Sequence, residues 1–460
     1  MSAGSESQNG AVVISKKDLR TVIVSCIVGT TVEWYDFFLY GVAAGLVFNK
    51  LYFPSEDPLV GTLLAFASFA VGFVARPVGG LIFGHIGDRV GRKKTLVATM
   101  MIMGVATFLI GVIPPYAMIG AAAPILLIVF RLAQGVAVGG EWGGAVLMAV
   151  EYAPKGKRGL YGSLPQIGLA LGLMMGTGVL AFLAAVMSDA SFLAWGWRIA
   201  FLLSAVLVIV GLFIRLKVME TPAFQKLQEA EARATIPALE LVKSKKSRRN
   251  MVLGMGARWA EGVAFNTWAV FVITYGTGTL KLSQGTLLLS VMTAAAVMVG
   301  MIPLMGRLSD RVDRRHMYAA GVVVLGLASW PAFLLLGTGN VLIVGGTIVL
   351  VLGIIYPVIY APEASLFAEL FPTRVRYSGI SVVYQMSGIV ASGLTPLILV
   401  YLLGQADGGV HWIVGYIGAV TLISVVSTLA IRRRDMHTEA DDAAEVIAME
   451  KTPLTDTKTV

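Results

Sequence analysis

The sequence predicts an all-α membrane protein, with twelve transmembrane helices arranged as two six-helix halves that repeat one another. Three observations predict it. The 460 residues are 57% hydrophobic and only 14% charged, with a mean hydropathy of +0.79, whereas soluble domains carry about 25% charged residues. The apolar residues fall in stretches of about 20 or more, the length that crosses a hydrocarbon core. Two loop motifs recur half a chain apart. This balance excludes a soluble globule, and the spans leave no room for a soluble catalytic domain.

The polar residues 1–20 form an amino tail. The first apolar run, 21–48, is too long for a cleaved leader and carries charges mid-run, so it is expected to stay in the mature chain. Apolar length, punctuated by polar residues, glycine and proline, then places spans at 60–85, 95–113, 122–150, 160–186 and 196–216, which complete a bundle over 21–216. The polar stretch 217–250 alternates acidic and basic residues with alanine and leucine and reads as a solvated linker. Spans at 251–276, 285–308, 317–337, 340–370, 377–402 and 410–431 form a second bundle over 251–431. The tail 432–460 is acidic, rich in small residues, and reads as disordered.

The 36 lysines and arginines test this order. Thirty fall in the two tails, the central stretch and alternate loops; the other loops hold only Lys50 and Lys281, and Arg76, Arg131, Arg198 and Arg258 lie within or at the edges of spans. The positive-inside rule then puts both termini and the central stretch in the cytoplasm. The net charge of +9 reports orientation in a lipid bilayer, and no nucleic-acid partner is expected. Cys26 is the sole cysteine, and His85, His316, His411 and His437 are scattered at loop or helix ends. Neither a metal site nor a catalytic constellation nor a phosphate loop emerges, so no enzyme and no cofactor are expected.

The repeat is carried by two pairs of loops. Gly84-x3-Asp88-Arg89-x-Gly91-Arg92-Lys93-Lys94 follows the second span, and Gly306-x3-Asp310-Arg311-x-Asp313-Arg314-Arg315 follows the eighth, an offset of 222. Glu151-x2-Pro154-x3-Arg158 follows the fourth and Glu369-x2-Pro372-x3-Arg376 the tenth, an offset of 218. Parallel halves related by an axis along the membrane normal place a substrate site near mid-membrane between them.

The first of these loops resembles the signature of the major facilitator superfamily. Glu33-Trp-Tyr-Asp-Phe-Phe-Leu-Tyr-Gly41, Arg76-Pro-Val-Gly-Gly80, Gly139-Gly-Glu-Trp-Gly-Gly-Ala145 and Trp195-Gly-Trp-Arg-Ile199 resemble the metabolite:H⁺ symporter family within it. Phe48-Asn-Lys-Leu-Tyr-Phe-Pro54 and the Arg258-x2-Glu261 spacing resemble that family's shikimate branch. The resemblance implies the major facilitator fold and alternating access. It also implies a latch that closes the cytoplasmic side when the carrier faces outward. Gly84, Asp88, Arg89, Gly91, Arg92 and Lys93 would form it with Asp310 and Arg311, and Glu151, Arg158, Glu369, Arg374 and Arg376 would be its struts. Physically, a carboxylate at Asp88 can cap the amino end of a neighbouring helix. Asp313 stands where glycine is expected, so the second copy should turn differently and contribute less.

Ionisable groups at membrane depth cost several kcal/mol and face a cavity or a partner. The candidates are Glu33 and Asp36 in the first span, Arg76 in the second, Arg131 and Glu141 in the fourth, Arg258 and Glu261 in the seventh and Glu363 in the tenth. The first span runs outward and the fourth inward, so Asp36 and Arg131 lie at similar depth and are expected to meet. A carboxylate whose arginine is drawn away takes a proton more readily, as coupling requires. Asp36, modulated by Arg131, is the expected proton carrier, with Glu33 one turn away as its rival; a permanent ion pair is the structural alternative. Glu141 lies about 15 Å along the helix from Arg131, too far for direct pairing. It is either a packing carboxylate among Gly139, Gly140, Gly143 and Gly144 or a coupling one.

A carboxylate substrate needs a positive centre, and Arg131 and Arg258 are the best-placed cations, one from each half. Arg258 and Glu261, three residues apart, can pair within their helix. Arg76 is a candidate for contact with substrate or between halves, and Tyr35, Gln166, Asn266, Tyr384 and Gln385 are candidates to complete the site. Glu363 is an extra carboxylate that favours an amine-bearing substrate or simply adds a protonatable group. The expectation is a bacterial inner-membrane carrier, functional as a monomer, that takes up a small organic acid of shikimate type with protons. A carrier of proline, betaine or another zwitterion, or a transporter-like sensor, is the alternative.

Overall fold

The computed structural model describes residues 16–90, 92–139, 147, 149–150, 153–219, 241, 243–372, 375–406, 408–437 and 441. Every regular element among them is helical. Hydrocarbon offers no hydrogen-bond partner to a backbone, so an apolar segment crossing it satisfies its amides within itself. Among the described residues, nine helices are long and apolar enough to cross: α1 (Leu19–Leu51), α2 (Pro58–Phe83, continuing to Val90), α5 (Arg158–Val186), α6 (Asp189–Phe213), α8 (Gln284–Ser309), α9 (Arg314–Leu336), α10 (Val341–Ala368), α11 (Arg376–Gln405) and α12 (His411–Ala430). The shorter apolar helices α3 (Arg92–Val112) and α4 (Ala122–Val138) join them. So does α7, which runs without a break through Lys245–Asn266, Thr267–Phe271 and Val272–Gly278 and brings the number to twelve.

Polar caps set the ends. The side chains of Ser188, Ser244, Ser283, Asp313 and Asn340 each accept a backbone N–H from the first turn of the helix that follows. Ser244 explains why α7 starts at Lys245, six residues before the apolar run suggests: the basic end of the expected linker is the helix's first turns. Ser188 starts α6 at Asp189 for the same reason.

The two halves repeat in three dimensions. In the first half α1 packs on α5 and α6, α2 on α4, and α3 on α4 and α6; in the second, α7 packs on α11 and α12, α8 on α10, and α9 on α10 and α12. Adding six to each helix of one set gives the other. Both α1 and α7 contain a π-helical turn, at Ala44–Phe48 and Thr267–Phe271, in matching places. Between halves, α5 packs along α8 and α2 along α11, two contacts that the same exchange interchanges.

Polarity is distributed for lipid. Leu81, Met118, Leu327 and Leu342 point outward, at 73–84% exposure, while Glu33, Asp36, Arg76, Arg131, Arg258, Glu261 and Glu363 are all buried within the bundle. Helices without hydrophobic drive between them associate by close contact of small residues. A methyl group added at Gly135 of α4 would overlap the Gly72 carbonyl of α2, and one at Gly79 of α2 would overlap the Val136 carbonyl of α4.

The halves are closed at both ends. Away from the basic loops, Gly45 of α1 abuts Thr274 of α7 and Gly404 of α11 abuts Leu59 at the start of α2. At the basic face, Asp310 accepts hydrogen bonds from the N–H groups of Gly159 (2.6 Å) and Leu160 (2.9 Å), capping α5 from the other half. Arg314 pairs with Asp310 at 2.9 Å and also with Glu369. Burial pushes the Glu369 carboxyl up from its ordinary range, opposed by Arg314, Arg158 and Arg376. Arg376 is buried and donates to the Ala368 and Phe371 carbonyls at the end of α10, and Arg311 is exposed.

In the second loop copy, Asp313 caps α9 by accepting from the Arg315 and His316 N–H groups, while Asp310 caps α5. Gly91, Glu141, Glu151 and Arg374 lie outside the described residues; Gly84, Asp88, Arg89, Arg92 and Lys93 are helical, with side chains outside the description.

Two outcomes follow. Gly135→Val should lower the thermal stability of the detergent-solubilised protein by about 3 kcal/mol, the upper range for overpacking. Gly418→Val, at an exposed position with open space around it, should leave stability unchanged. In a Cys26→Ser background, a cysteine replacing buried Ser163 beside the α5–α8 contact should react with a thiol reagent about fivefold faster when Asp310 is Asn. That factor corresponds to about 1 kcal/mol of lost capping.

Candidate functional site

The buried charges lie where the two halves face each other, as one layer with two unlike sides. On the first side, Asp36 of α1 is 1% exposed. Its Oδ2 accepts a hydrogen bond from Thr107 of α3 at 2.8 Å, and its Oδ1 has no hydrogen-bond partner. Thr107 in turn accepts from the Gln134 amide at 2.7 Å, and Gln134 Oε1 accepts from Arg131 Nη1 at 3.1 Å. Asp36 and Arg131 are therefore joined through two neutral side chains. The expected direct meeting does not occur, for no ion pair within 4.0 Å joins them among the described residues. The physical reason is aromatic: the Arg131 guanidinium lies 4.3 Å from the Tyr40 ring centroid, 4.9 Å from Phe69 and 5.1 Å from Phe37. Cation–π attraction of this kind grows when water is excluded. A methyl group at Gly72 would press on the same guanidinium, so the close approach of α2 and α4 makes its berth.

The Thr107 hydroxyl carries one proton and faces two acceptors, Asp36 Oδ2 and the Met103 carbonyl at 2.9 Å. It donates to Asp36 when that group is ionised. It can turn to Met103 and accept from Asp36 when that group is an acid. A narrow cleft lies beside this relay, lined by Glu33, Asp36, Arg76, Arg131 and Gln134 among others. Arg76 covers the Phe73 and Phe37 rings at 4.4 and 4.9 Å, interacts electrostatically with Glu33, and lies near enough to Tyr384 and Arg258 to feel the second half.

The second side is built on one guanidinium. Arg258 of α7 pairs with Glu261 one turn along at 3.3 Å and with Glu363 of α10 at 3.2 Å. It also lies 3.7 Å from the centroid of the Tyr384 ring of α11 and donates to Ser387 at 3.3 Å. Glu261 Oε1 accepts a hydrogen bond from the Tyr356 hydroxyl at 2.5 Å. Neither oxygen of Glu363 accepts a hydrogen bond with good geometry.

Other candidates have different places. The Tyr35 hydroxyl is committed to the Ala200 carbonyl of α6 at 2.7 Å, so this residue packs within its half and does not face the layer. Gln385 donates to the Gly139 carbonyl at 3.1 Å and ties the halves together. Asn266 donates to Gly262 one turn back at 2.9 Å, while its oxygen is buried without a partner. Gln166 is 1% exposed and neither end of its amide is bonded. Arg198 binds the carbonyls of Gly111 and Ile113 at 2.8 Å each. Thr107, Gln134, Tyr356 and Tyr360 belong to the site and were not anticipated. Gln134 was findable as a strongly polar residue three from Arg131; Thr107 had no signal, since threonine routinely bonds its own helix in membrane spans.

The comparisons with known proteins agree with this architecture. The Major Facilitator Superfamily model matches residues 26–396. The inner membrane metabolite transport protein YhjE of Escherichia coli K12 is 39% identical over 423 residues, 90% of this chain and 95% of that protein. The shikimate transporter of the same strain is 37% identical over 91% of this chain and 96% of its own. Its proline/betaine transporter is 35% identical, over 90% and 85%. The proton:xylose symporter XylE bound to 6-bromo-6-deoxy-D-glucose superposes with a TM-score of 0.70 at 15% identity, over 94% of this chain and all of that one. Twelve helices in two interchangeable halves, a charged layer between them and these matches together mean that the chain is a multi-pass membrane transporter, not an enzyme, and belongs to the major facilitator superfamily.

Proposed function

We propose that the protein is a proton-coupled uptake carrier for a small organic acid of shikimate type, working by alternating access as a monomer in a bacterial inner membrane, with both termini in the cytoplasm. One observation carries this reading: a sealed carboxylate, Asp36, with one oxygen unbonded and the other joined through Thr107 and Gln134 to a cation that a carboxylate substrate can recruit. The relatives named for metabolite and shikimate transport support the substrate class, and the excess of basic residues in alternate loops supports the orientation.

The coupling follows from the hydrogen bonds. A substrate carboxylate that engages Arg131 draws its Nη1 from Gln134, and the relay to Asp36 loses its cationic end. Asp36 then takes a proton on Oδ1, and Oδ2 goes on accepting from Thr107. The layer is thereby neutral enough to face the opposite side. Arg258, from the other half, is the second cation available to the acid. The zwitterion reading is supported by the proline/betaine relative and by the two carboxylates on Arg258.

Proteoliposomes given radiolabelled shikimate, α-ketoglutarate, citrate, proline or betaine, with and without an inward proton gradient, test it. Gradient-driven accumulation of an acid is expected; accumulation of a zwitterion alone would replace the substrate class, and equal uptake in both conditions would remove the coupling. Asp36→Asn should abolish accumulation while leaving exchange of internal for external substrate. Thr107→Val removes a charge-assisted hydrogen bond worth about 1.5–3 kcal/mol and should lower proton-driven uptake about tenfold, with Thr107→Ser restoring it.

A further inference from the structure

The cluster around Arg258 carries one carboxylate too many. Glu261 and Glu363 lie against the same guanidinium, at 3.3 and 3.2 Å, and are 2% and 0% exposed. Arg258 offsets one negative charge. A second one, unpaired in a membrane interior, costs several kcal/mol, and such groups take up a compensating cation or neutralise.

Among the described residues the surroundings supply no further positive charge. The titratable groups facing Glu363 are Arg258 and Glu261 from α7, Tyr318 from α9, Tyr356 and Tyr360 from its own helix α10, and Tyr384 from α11. All but Arg258 are neutral or negative. Arg76 of α2 is the next cation, and it interacts with Glu33 across the rings of Phe37 and Phe73. Glu261 is the better solvated of the two carboxylates, since it accepts from Tyr356.

An independent observation points to the same spot. The Tyr360 hydroxyl, on a fully buried side chain one turn before Glu363, has no hydrogen-bond partner and lies within electrostatic reach of both carboxylates. Its ring stacks on Tyr356, centroids 5.3 Å apart, so the hydroxyl is held in place. A tyrosine O–H can donate to a carboxylate and accept from an acid, so it suits a group that changes between the two.

We propose that the Glu261–Glu363 pair is a second proton site, in the half opposite Asp36, that binds one proton whenever the layer is sealed. The ligand is a proton from bulk water, bound without any covalent change beyond the new O–H bond. Because the argument holds for the empty sealed layer as well as the loaded one, this proton stays on the pair in both, and the protons carried per substrate are those of Asp36 under the proton-coupled reading above.

Infrared difference spectroscopy of the full-length protein in lipid, stepped across pH without substrate, tests the site whether or not that reading holds. The C=O stretching band of a protonated carboxylic acid is the readout. Wild-type protein should give two such bands, and Asp36→Asn should remove one only. Glu363→Gln and Glu261→Gln each leave Arg258 with a single carboxylate, so either should remove the other. Persistence of that band in either variant would overturn the proposal, as would its loss when glycine betaine is added, which would put a substrate cation in the proton's place. In proteoliposomes with shikimate, the logarithm of accumulation plotted against the pH gradient should keep its slope in Glu363→Gln. A slope lowered by one would overturn a proton held in both sealed states, whereas absence of uptake in wild type would sink the transport reading and leave the infrared result standing.

Discussion

The constraint on which the structure depends is that charge placed in hydrocarbon must be offset where it stands. Among the described residues, seven acidic and basic side chains are buried across the middle of the bundle, and each described interaction among them answers that demand: rings over Arg76 and Arg131, a threonine against Asp36, a tyrosine against Glu261. Helices can hold such a layer only by turning their polar faces inward and their leucines to lipid. Closure above and below then completes the isolation, because water entering from either side would dissolve the electrostatic bargains within. A carrier is a molecule in which that closure is relaxed on one side at a time, and the contacts that close it are suited to release. They are small-residue approaches such as Gly45 on Thr274 and a few polar ties such as Asp310 on α5.

The two halves share a scaffold and divide the chemistry. Helix pairings and the π-turns of α1 and α7 are interchangeable on adding six to the helix number. The charges are not. Glu33 and Asp36 are matched by Arg76 and Arg131, whereas Glu261 and Glu363 share Arg258. The difference is local in origin, since a single carboxylate on α10 changes the balance without altering any packing that the repeat requires. Departure at Asp313 is of the same kind: the loop loses a glycine and gains a cap, and the helix it starts is none the worse.

Helix number, the repeat and the location of the charges were legible because hydrophobic length and loop charge are read one residue at a time. The Arg258–Glu261 pair was legible because three-residue spacing fixes neighbours on a helix. Depth arithmetic put Asp36 and Arg131 at one level, correctly, but depth says nothing of azimuth. Whether two side chains touch or are bridged depends on the rotation of α1, α3 and α4, which the glycine contacts of α2 with α4 set, and no single-helix pattern encodes that. Tyr35 illustrates the same limit. Its place within a span made it a candidate for the site, yet residues next to one another on a helix point about 100° apart, and its hydroxyl ends on Ala200 of α6.

The central layer and the closed basic face are carried on the same rods. Glu363 and Glu369 are six residues apart on and just beyond α10, about 9 Å along its axis, and Glu369 holds Arg314, which holds Asp310, which caps α5. Gln166, with both amide atoms unbonded, stands one turn from the segment of α5 so capped, and Gln134 of α4 stands one turn from Gly139, whose carbonyl Gln385 holds. In the proposed cycle, a change of charge at Glu363 that tilts α10, or a release of Arg131 that frees α4, would be delivered along these rods to the polar ties at the basic face. The ties there are a handful of charge-assisted hydrogen bonds, each worth about 1–3 kcal/mol. That is the same scale as the energy of one proton gained or lost in the layer, so neither end dominates the other. Occupancy of the centre can decide which face opens, and the face that opens can decide when the centre is refilled.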